Sequence, residues 1–136
     1  MELGYVFIWV ENVEEALRFY EEAFDLKRRF LVDNGEPGLY AELETGETTF
    51  ALADHKEARV LFPHRFRENY PARPPGAFQL SFVTPDAEAA YEVASRAGAA
   101  ETAEPQIQSR GQTIAWVRDP NGVLVSIVSL LLSRER

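Results

Sequence analysis

The sequence repeats one order of strands and one helix at an offset of 74 residues. This offset places Asn12, which precedes the first helical pattern, on Asp86, which precedes the second, and it places Glu14 on Glu88. Few letters are identical between the two halves, so the matching order of elements is the stronger observation. A chain of this kind folds as two copies of one supersecondary unit.

The first copy begins with an aromatic and β-branched run that predicts a strand at Tyr5 to Val10. Asn12 is a favourable N-cap, and apolar residues at three- and four-residue spacing from Val13 to Phe24 predict a helix with one buried face. Turns at Asn34-Gly35 and Thr45-Gly46-Glu47 separate three further extended stretches. These stretches are Lys27 to Val32, Gly38 to Glu44 and Thr48 to Ala53.

The second copy has the same order. A strand is predicted at Phe78 to Thr84, and a helix at Ala87 to Ala97 that ends at Gly98. Three strands follow, with a hairpin turn at Asp119-Pro120-Asn121-Gly122 before the last. They are Ala100 to Ala103, Thr113 to Arg118 and Val123 to Ser129.

The predicted architecture is therefore α+β, with two tandem βαβββ modules at residues 1–54 and 77–136. Residues 55–76 join them and contain four prolines, at positions 63, 71, 74 and 75. This connection is longer than most in compact domains, which is typical of either a crossing linker or a functional lid.

Composition excludes several functions. The chain has no cysteine, which rules out disulfides, zinc-thiolate sites and cysteine nucleophiles. A net charge of −8 argues against nucleic acid as a partner, because phosphate binding needs a basic surface. Five basic residues do fall close together and indicate either an anion-receiving loop or a solvated one. They are Lys56, Arg59, Arg65, Arg67 and Arg73.

Neither a membrane segment nor a signal peptide is expected. The apolar start of the chain lacks a basic region and a small-residue cleavage site. The longest apolar run, Val123 to Leu132, is shorter than the roughly 18 to 20 residues that span a bilayer. We expect no membrane partner and a cytoplasmic location.

Three stretches resemble one known family. Val10-Glu11-Asn12, leading into the helix at 16–20, resembles the entry motif of the vicinal oxygen chelate superfamily, which includes glyoxalases, bleomycin resistance proteins and extradiol dioxygenases. Gln79 to Phe82 resembles the opening of its second module, and Arg118 to Gly122 resembles the turn before its last strand. The resemblance implies a single domain over 1–136, with cupped mixed sheets and helices on the outer face. It also implies a small-molecule ligand and a homodimer.

Many members of this superfamily hold one divalent metal ion through four inward-facing His, Gln or Glu residues. The resemblance places these positions at Tyr5, Ala51, Gln79 and Ser126. Only the glutamine is a conventional ligand, so we expect no metal and no other cofactor. The assignment of Ala51 depends on hairpin register, since a slip would reverse the faces and turn Glu42 or Glu44 inward.

A ligand pocket remains the expectation. If Tyr5 faces the cup, strand alternation places Phe7 and Trp9 beside it. An aromatic wall beside small or weakly polar residues is typical of a stacking pocket, although the same rings could fill a collapsed cup or a dimer interface. The predicted ligand-binding residues are Tyr5, Phe7, Trp9, Ala51, Gln79, Ser81, Trp116 and Ser126. No catalytic residue is identified, and His55 and His64 are interpreted as surface or loop-packing residues.

The first functional hypothesis is a metal-free protein, similar to bleomycin resistance proteins, that binds a small aromatic or amphipathic molecule in the cup. The alternative is a metal-dependent glyoxalase-like lyase or isomerase, or a dioxygenase, that uses non-standard ligands. A dimeric scaffold without a ligand is a third possibility. The absent metal ligands favour the first.

Overall fold

A computed structural model describes residues 1–33, 35, 38–107 and 111–130, without the side chain of Pro105. Residues 131–136 of the predicted second module, and Asn34 of the turn predicted at Asn34-Gly35, lie outside these ranges. None of the helices in the described ranges is both long enough and apolar enough to cross a membrane. The strands are β1 (Tyr5–Val10), β2 (Lys27–Asp33), β3 (Leu39–Glu44), β4 (Thr49–Asp54), β5 (Leu80–Thr84), β6 (Ala100–Ile107), β7 (Thr113–Arg118) and β8 (Leu124–Ser129). The helices are α1 (Val13–Phe24), α2 (His55–Leu61) and α3 (Ala87–Arg96).

The strands form two mixed sheets of the same topology, which confirms the predicted α+β fold with a repeated βαβββ order. Sheet one has the strand order β1-β4-β3-β2 and sheet two has the order β5-β8-β7-β6. In each sheet the first and last strands of the module pair in parallel, and the other neighbours are antiparallel. The chain divides into two compact units, Met1–Glu21 with Asp25–Asn69 and Glu22–Phe24 with Tyr70–Arg136.

Helix α1 begins where the sequence predicts a cap. The Glu15 amide donates a 3.0 Å hydrogen bond to Asn12 Oδ1, which satisfies one of the amides that the first turn leaves without a helical partner. Its apolar face is buried, and the Tyr20 ring meets the ring of Phe50 on β4 edge to face at 4.8 Å. The core of this unit therefore lies between α1 and one face of sheet one.

Helix α3 repeats this arrangement over sheet two. Asp86 Oδ1 accepts a 3.0 Å hydrogen bond from the Ala89 amide, as Asn12 does in the first copy. Gly98 has a φ of 112°, and the next amide, that of Ala99, returns to the Ala94 carbonyl at 3.0 Å. A positive φ is inexpensive only for glycine, so the helix stops at the predicted position.

The hairpin turn before β8 is held by a buried carboxylate. Asp119 Oδ1 accepts hydrogen bonds from the amides of Asn121 at 2.9 Å and Val123 at 2.8 Å. Gly122 completes the turn with a φ of 90° and donates its amide to the Asp119 carbonyl. An aspartate that bonds its own backbone two residues ahead is the physical basis of such turns.

Two elements differ from the sequence-based expectation. The segment predicted as a linker or a lid starts with helix α2. Asp54 caps this helix by accepting the Lys56 amide at 2.8 Å, and the helix residue Ala58 is buried. Strand β6 extends to Ile107 rather than Ala103. Register shifts interrupt its pairing with β7. These irregularities break the regular alternation of side chains, which weakens the sequence pattern of a strand.

Candidate ligand-binding site

Three aromatic rings line the face of sheet one that α1 does not cover, here called the open face. Tyr5, Phe7 and Trp9 occupy alternate positions of β1. The ring centroids of Tyr5 and Phe7 are 5.9 Å apart, and those of Phe7 and Trp9 are 6.0 Å apart. Tyr5 is 54% exposed and Phe7 is 44% exposed, whereas Ile8 and Val10 on the other face are buried. The alternation predicted from the sequence is present, and the role of these rings in ligand binding stays a prediction.

The small residues of β4 lie beside the aromatic rings on the open face. In the parallel pairing of β1 with β4, Phe7 is opposite Ala51 and Trp9 is opposite Ala53. Ala51 is 0% exposed, so larger neighbours cover it completely. A molecule on this face would therefore meet the rings rather than the methyl group of Ala51.

A polar network that sequence reasoning did not predict also lies on the open face. Glu42 is the cross-strand partner of Ala51, so both side chains share this face without any slip of register, which corrects the expectation that one would exclude the other. Glu42 is only 6% exposed and accepts hydrogen bonds from Tyr40 Oη at 2.6 Å and from Arg29 Nη1 at 3.1 Å. Arg29 Nη1 also donates to Thr49 Oγ1 at 3.0 Å.

The electrostatics of this network keep Tyr40 protonated. Burial raises the pKa of Tyr40 above its ordinary value, and the hydrogen bond to Glu42 and the negative charge of that carboxylate raise it further. The phenol is therefore a fixed donor to Glu42. The ring of Tyr40 lies 5.9 Å from that of Phe7, so the network adjoins the aromatic row. The sequence signal available for this network was the alternation of side chains along β3, combined with the pairing of β3 and β4.

Sheet two brings four of the predicted residues into one hydrogen-bonded cluster. Trp116 Nε1 donates to Gln79 Oε1 at 3.0 Å. Gln79 Nε2 donates to Ser81 Oγ at 3.2 Å and to Ser126 Oγ at 3.3 Å. Ser126 Oγ in turn donates to Ser81 Oγ at 2.6 Å. Both ends of the Gln79 amide are thus engaged within the unit.

The four positions that correspond to superfamily metal ligands do not fit a divalent ion. Ala51 has no donor atom, and Ser126 offers only a neutral hydroxyl that is buried and hydrogen bonded. The Oε1 atom of Gln79, which would ligate a metal, accepts the indole hydrogen bond of Trp116. None of these groups supplies the carboxylate or imidazole that such ions prefer, and Tyr5 does not supply one either. The four positions therefore lack the ligands of a divalent metal site.

The two histidines have different surroundings. His55, interpreted from the sequence as a surface or loop-packing residue, is the first residue of α2 and is only 1% exposed, so a surface position is wrong. His64 is exposed, with a φ of 62°. The spacing of the two along the chain gave no signal for the burial of His55, because Asp54 and α2 determine it.

Comparison with known proteins agrees with this architecture. A "glyoxalase-related enzyme" from Fulvimarina pelagi has a TM-score of 0.79 at 16% identity, over 96% of this chain and 88% of that chain. A "glyoxalase/bleomycin resistance protein/dioxygenase family enzyme" from Burkholderia phytofirmans PsJN has a TM-score of 0.78 at 21% identity, over 96% of this chain and 100% of that chain. One from Sphaerobacter thermophilus has 0.71 at 22% identity, over 96% and 98%. At these identities the structures show the fold alone.

Among curated proteins, none matches this sequence. The sequence model of the glyoxalase/bleomycin resistance protein/dioxygenase superfamily matches residues 2–127, which is most of the chain. This match confirms the family resemblance seen in the sequence motifs over nearly the whole chain. The chain belongs to the glyoxalase/bleomycin resistance protein/dioxygenase superfamily.

Proposed function

We propose that this protein binds a small aromatic or amphipathic molecule against the open face of sheet one, without a metal ion at the four superfamily positions. The observation that carries the proposal is the row of Tyr5, Phe7 and Trp9, in which the first two rings are exposed and the third is half-buried. Rings about 6 Å apart on one strand form a continuous apolar wall. Flat ligands gain both buried area and ring contacts on such a wall.

The polar network beside the wall supports an amphipathic ligand rather than a purely apolar one. Tyr40 and Arg29 hold the Glu42 carboxylate in a fixed orientation beside the wall. The Arg29 side chain is 38% exposed, and the Glu44 carboxylate lies 3.7 Å from its Nε atom. A ligand lying across the rings would place its polar end at this rim, where both signs of charge are available to orient it.

The sheet-two cluster is consistent with the same proposal. The hydrogen bonds among Gln79, Ser81, Trp116 and Ser126 hold an amide and two hydroxyls in place beside an indole ring. Preorganised neutral donors and acceptors suit recognition of a small molecule better than coordination of a cation. On that basis we also propose these four residues, within their own unit, as ligand-binding residues.

Tryptophan fluorescence tests the proposal, because the chain has only two tryptophans. In a Trp116→Phe background, which keeps an aromatic ring at this member of the proposed set, Trp9 is the single reporter. A panel of planar aromatic molecules of different charge should include ligands that quench it saturably. Phe7→Ala should weaken that binding roughly two- to tenfold, the range expected for one lost ring contact. The matched control is Val60→Ala, which truncates an exposed apolar residue on α2 rather than on β1.

Two outcomes would contradict the proposal. Quenching that is unchanged in Phe7→Ala would remove the aromatic wall from the binding site. Loss of binding after dialysis against a chelator, followed by recovery with a divalent ion in the wild type and in Glu11→Gln alike, would instead support the metal-dependent lyase, isomerase or dioxygenase hypothesis. We also propose that the protein acts as a cytoplasmic homodimer, and sedimentation equilibrium tests the dimer.

A further inference from the structure

A second group of ionisable side chains lies at the end of sheet one, outside the ligand-binding set. Glu11 directly follows β1, His55 directly follows β4, and Glu68 follows α2 in the chain. Parallel pairing of β1 with β4 brings the first two together, since Val10 is opposite Asp54. His55 Nδ1 lies 3.2 Å from Glu11 Oε2 and 3.0 Å from Glu68 Oε1.

These distances match the spacing of atoms around a metal ion. Ligand atoms at about 2.0–2.2 Å from a tetrahedral zinc ion lie roughly 3.3 Å from one another. The three atoms here are all within 4.8 Å of one another, and no other group of three or more such residues in the described parts of the chain meets that criterion. One imidazole and two carboxylates form a nitrogen and oxygen set that zinc accepts, and their two negative charges balance the ion.

The imidazole is already held in position. His55 is almost fully buried, and the ring of Phe66 meets it edge to face at 5.9 Å. Its Nδ1 atom points toward the two carboxylates rather than into the core. A ligand whose ring is fixed by packing loses little conformational freedom when a metal ion binds.

One cation of the chain already neutralises this group. The Arg59 guanidinium contacts the Glu68 carboxylate and lies 4.0 Å from Glu11 Oε2. Arg59 is one helical turn beyond His55 on α2, and its side chain is about half exposed. Because the arginine can swing into solvent, it can be replaced by an ion of higher charge density.

From this geometry we propose that Glu11, His55 and Glu68 form a zinc site distinct from the superfamily metal positions, with Arg59 as the counter-ion that zinc displaces. Three protein ligands leave a fourth position for water. The bound ion would join the end of β1, the start of α2 and the segment that carries Phe66. Phe66 also contacts the Trp9 ring at 6.2 Å, so the site would fix the segment that packs against one end of the aromatic row.

Zinc titration of the metal-stripped protein, in competition with a chromophoric chelator, tests this proposal. We expect one zinc ion per chain. Glu11→Gln should weaken binding at least tenfold, and it leaves the fold intact because Glu11 is 68% exposed. Arg59→Gln should tighten binding several-fold, since the competing charge is removed. Glu47→Gln, the same change at an exposed glutamate elsewhere in the unit, should have no effect.

The opposing outcomes are distinct. Absence of stoichiometric zinc in the wild-type protein overturns the proposal, and so does equal affinity in Glu11→Gln and Glu47→Gln. Zinc lost in Gln79→Ala but retained in Glu11→Gln would place the ion at the superfamily positions and would overturn the proposed metal-free ligand face as well. Failure of aromatic ligands to quench Trp9 would affect only that function, because zinc binding is measured without them.

Discussion

Glu42 and Ala51 lie directly opposite each other on β3 and β4, with both side chains on the open face of sheet one. The position that corresponds to a superfamily metal ligand thus holds a methyl group, and the nearest carboxylate belongs to the neighbouring strand. That carboxylate is engaged by Tyr40 and Arg29. The acidic group on this face therefore orders neighbouring side chains.

Tyr40→Phe should destabilise the protein, because it removes a 2.6 Å hydrogen bond to a nearly buried carboxylate. The loss should be about 1.5–3 kcal/mol at neutral pH, the range for a hydrogen bond to a charged group. Urea unfolding followed by circular dichroism measures it. Phe30→Leu, a change in a neighbouring ring without a polar group, is the control. A Tyr40→Phe protein as stable as the wild type would show that Arg29 alone satisfies Glu42.

The same tyrosine gives a pH dependence of defined sign. The pKa of Tyr40 is raised in the folded protein above its ordinary value of 10.0, chiefly by burial and then by Glu42. The folded state therefore holds this proton more tightly than the unfolded state. Its contribution is fully present below about pH 10 and is lost as the pH rises through the folded pKa. As the pH rises from 8 to 11, the free energy of unfolding should fall less steeply in Tyr40→Phe than in the wild type.

Arg118→Lys should loosen the segment before β5. The guanidinium donates from Nε to the Gly122 carbonyl at 2.9 Å, from Nη1 to that of Pro71 at 3.1 Å, and from Nη2 to those of Tyr70 and Arg73. An ammonium group cannot reproduce this fork. Hydrogen exchange should accelerate at residues 70–76 and the protein should lose roughly 2 kcal/mol. Arg96→Lys on the exposed side of α3 is the matched control, and equal exchange in the two variants would refute this role.

Two glycines of similar backbone conformation should respond differently to alanine. Gly122 has a φ of 90° and Gly46 has a φ of 92°, so both substitutions incur left-handed strain of about 1–2 kcal/mol. Only at Gly122 would the new Cβ lie 2.6 Å from the Tyr70 carbonyl oxygen, whereas nothing lies within 4 Å at Gly46. Gly122→Ala should therefore cost at least about 2 kcal/mol more. Similar melting temperatures for the two variants would contradict the close approach of residue 70.

The two helix caps provide a comparison between the repeated halves. Asn12→Ala and Asp86→Ala each remove a 3.0 Å hydrogen bond to an amide of the first turn, and each should cost about 1 kcal/mol. Asn12→Ser keeps an acceptor at this position and should recover most of the loss. Thermal unfolding of the three variants measures these differences. Full stability of both alanine variants would mean that packing alone defines where the helices begin.

The elements that the sequence predicts well are those with strong local signals. Asn12 and Asp86 cap their helices, and Gly98 and Gly122 have the positive φ that their turns require. Alternation along β1 predicts the face shared by Tyr5, Phe7 and Trp9. In each case the determining interactions lie within a few residues of one another in the chain.

The features that the sequence did not predict depend on contacts between distant segments. Glu42 on the open face follows from the pairing of β3 with β4, and burial of His55 follows from α2 and the segment after it. Glu11 and Glu68 are 57 positions apart and meet only at the end of sheet one. No local pattern marks Glu11 or Glu68, because charged side chains of the same type are usually solvated.

The sequence by itself determined the repeated βαβββ order, the helix caps, the turns and the lack of conventional metal ligands at Tyr5, Ala51 and Ser126. Side-chain identity and local backbone preference are sufficient for these. Only the tertiary structure decided which distant polar groups meet: Arg29 with Glu42, Trp116 with Gln79, and Glu11 with His55 and Glu68. Strand register and chain crossing set those distances, and a single sequence carries no local signal for either.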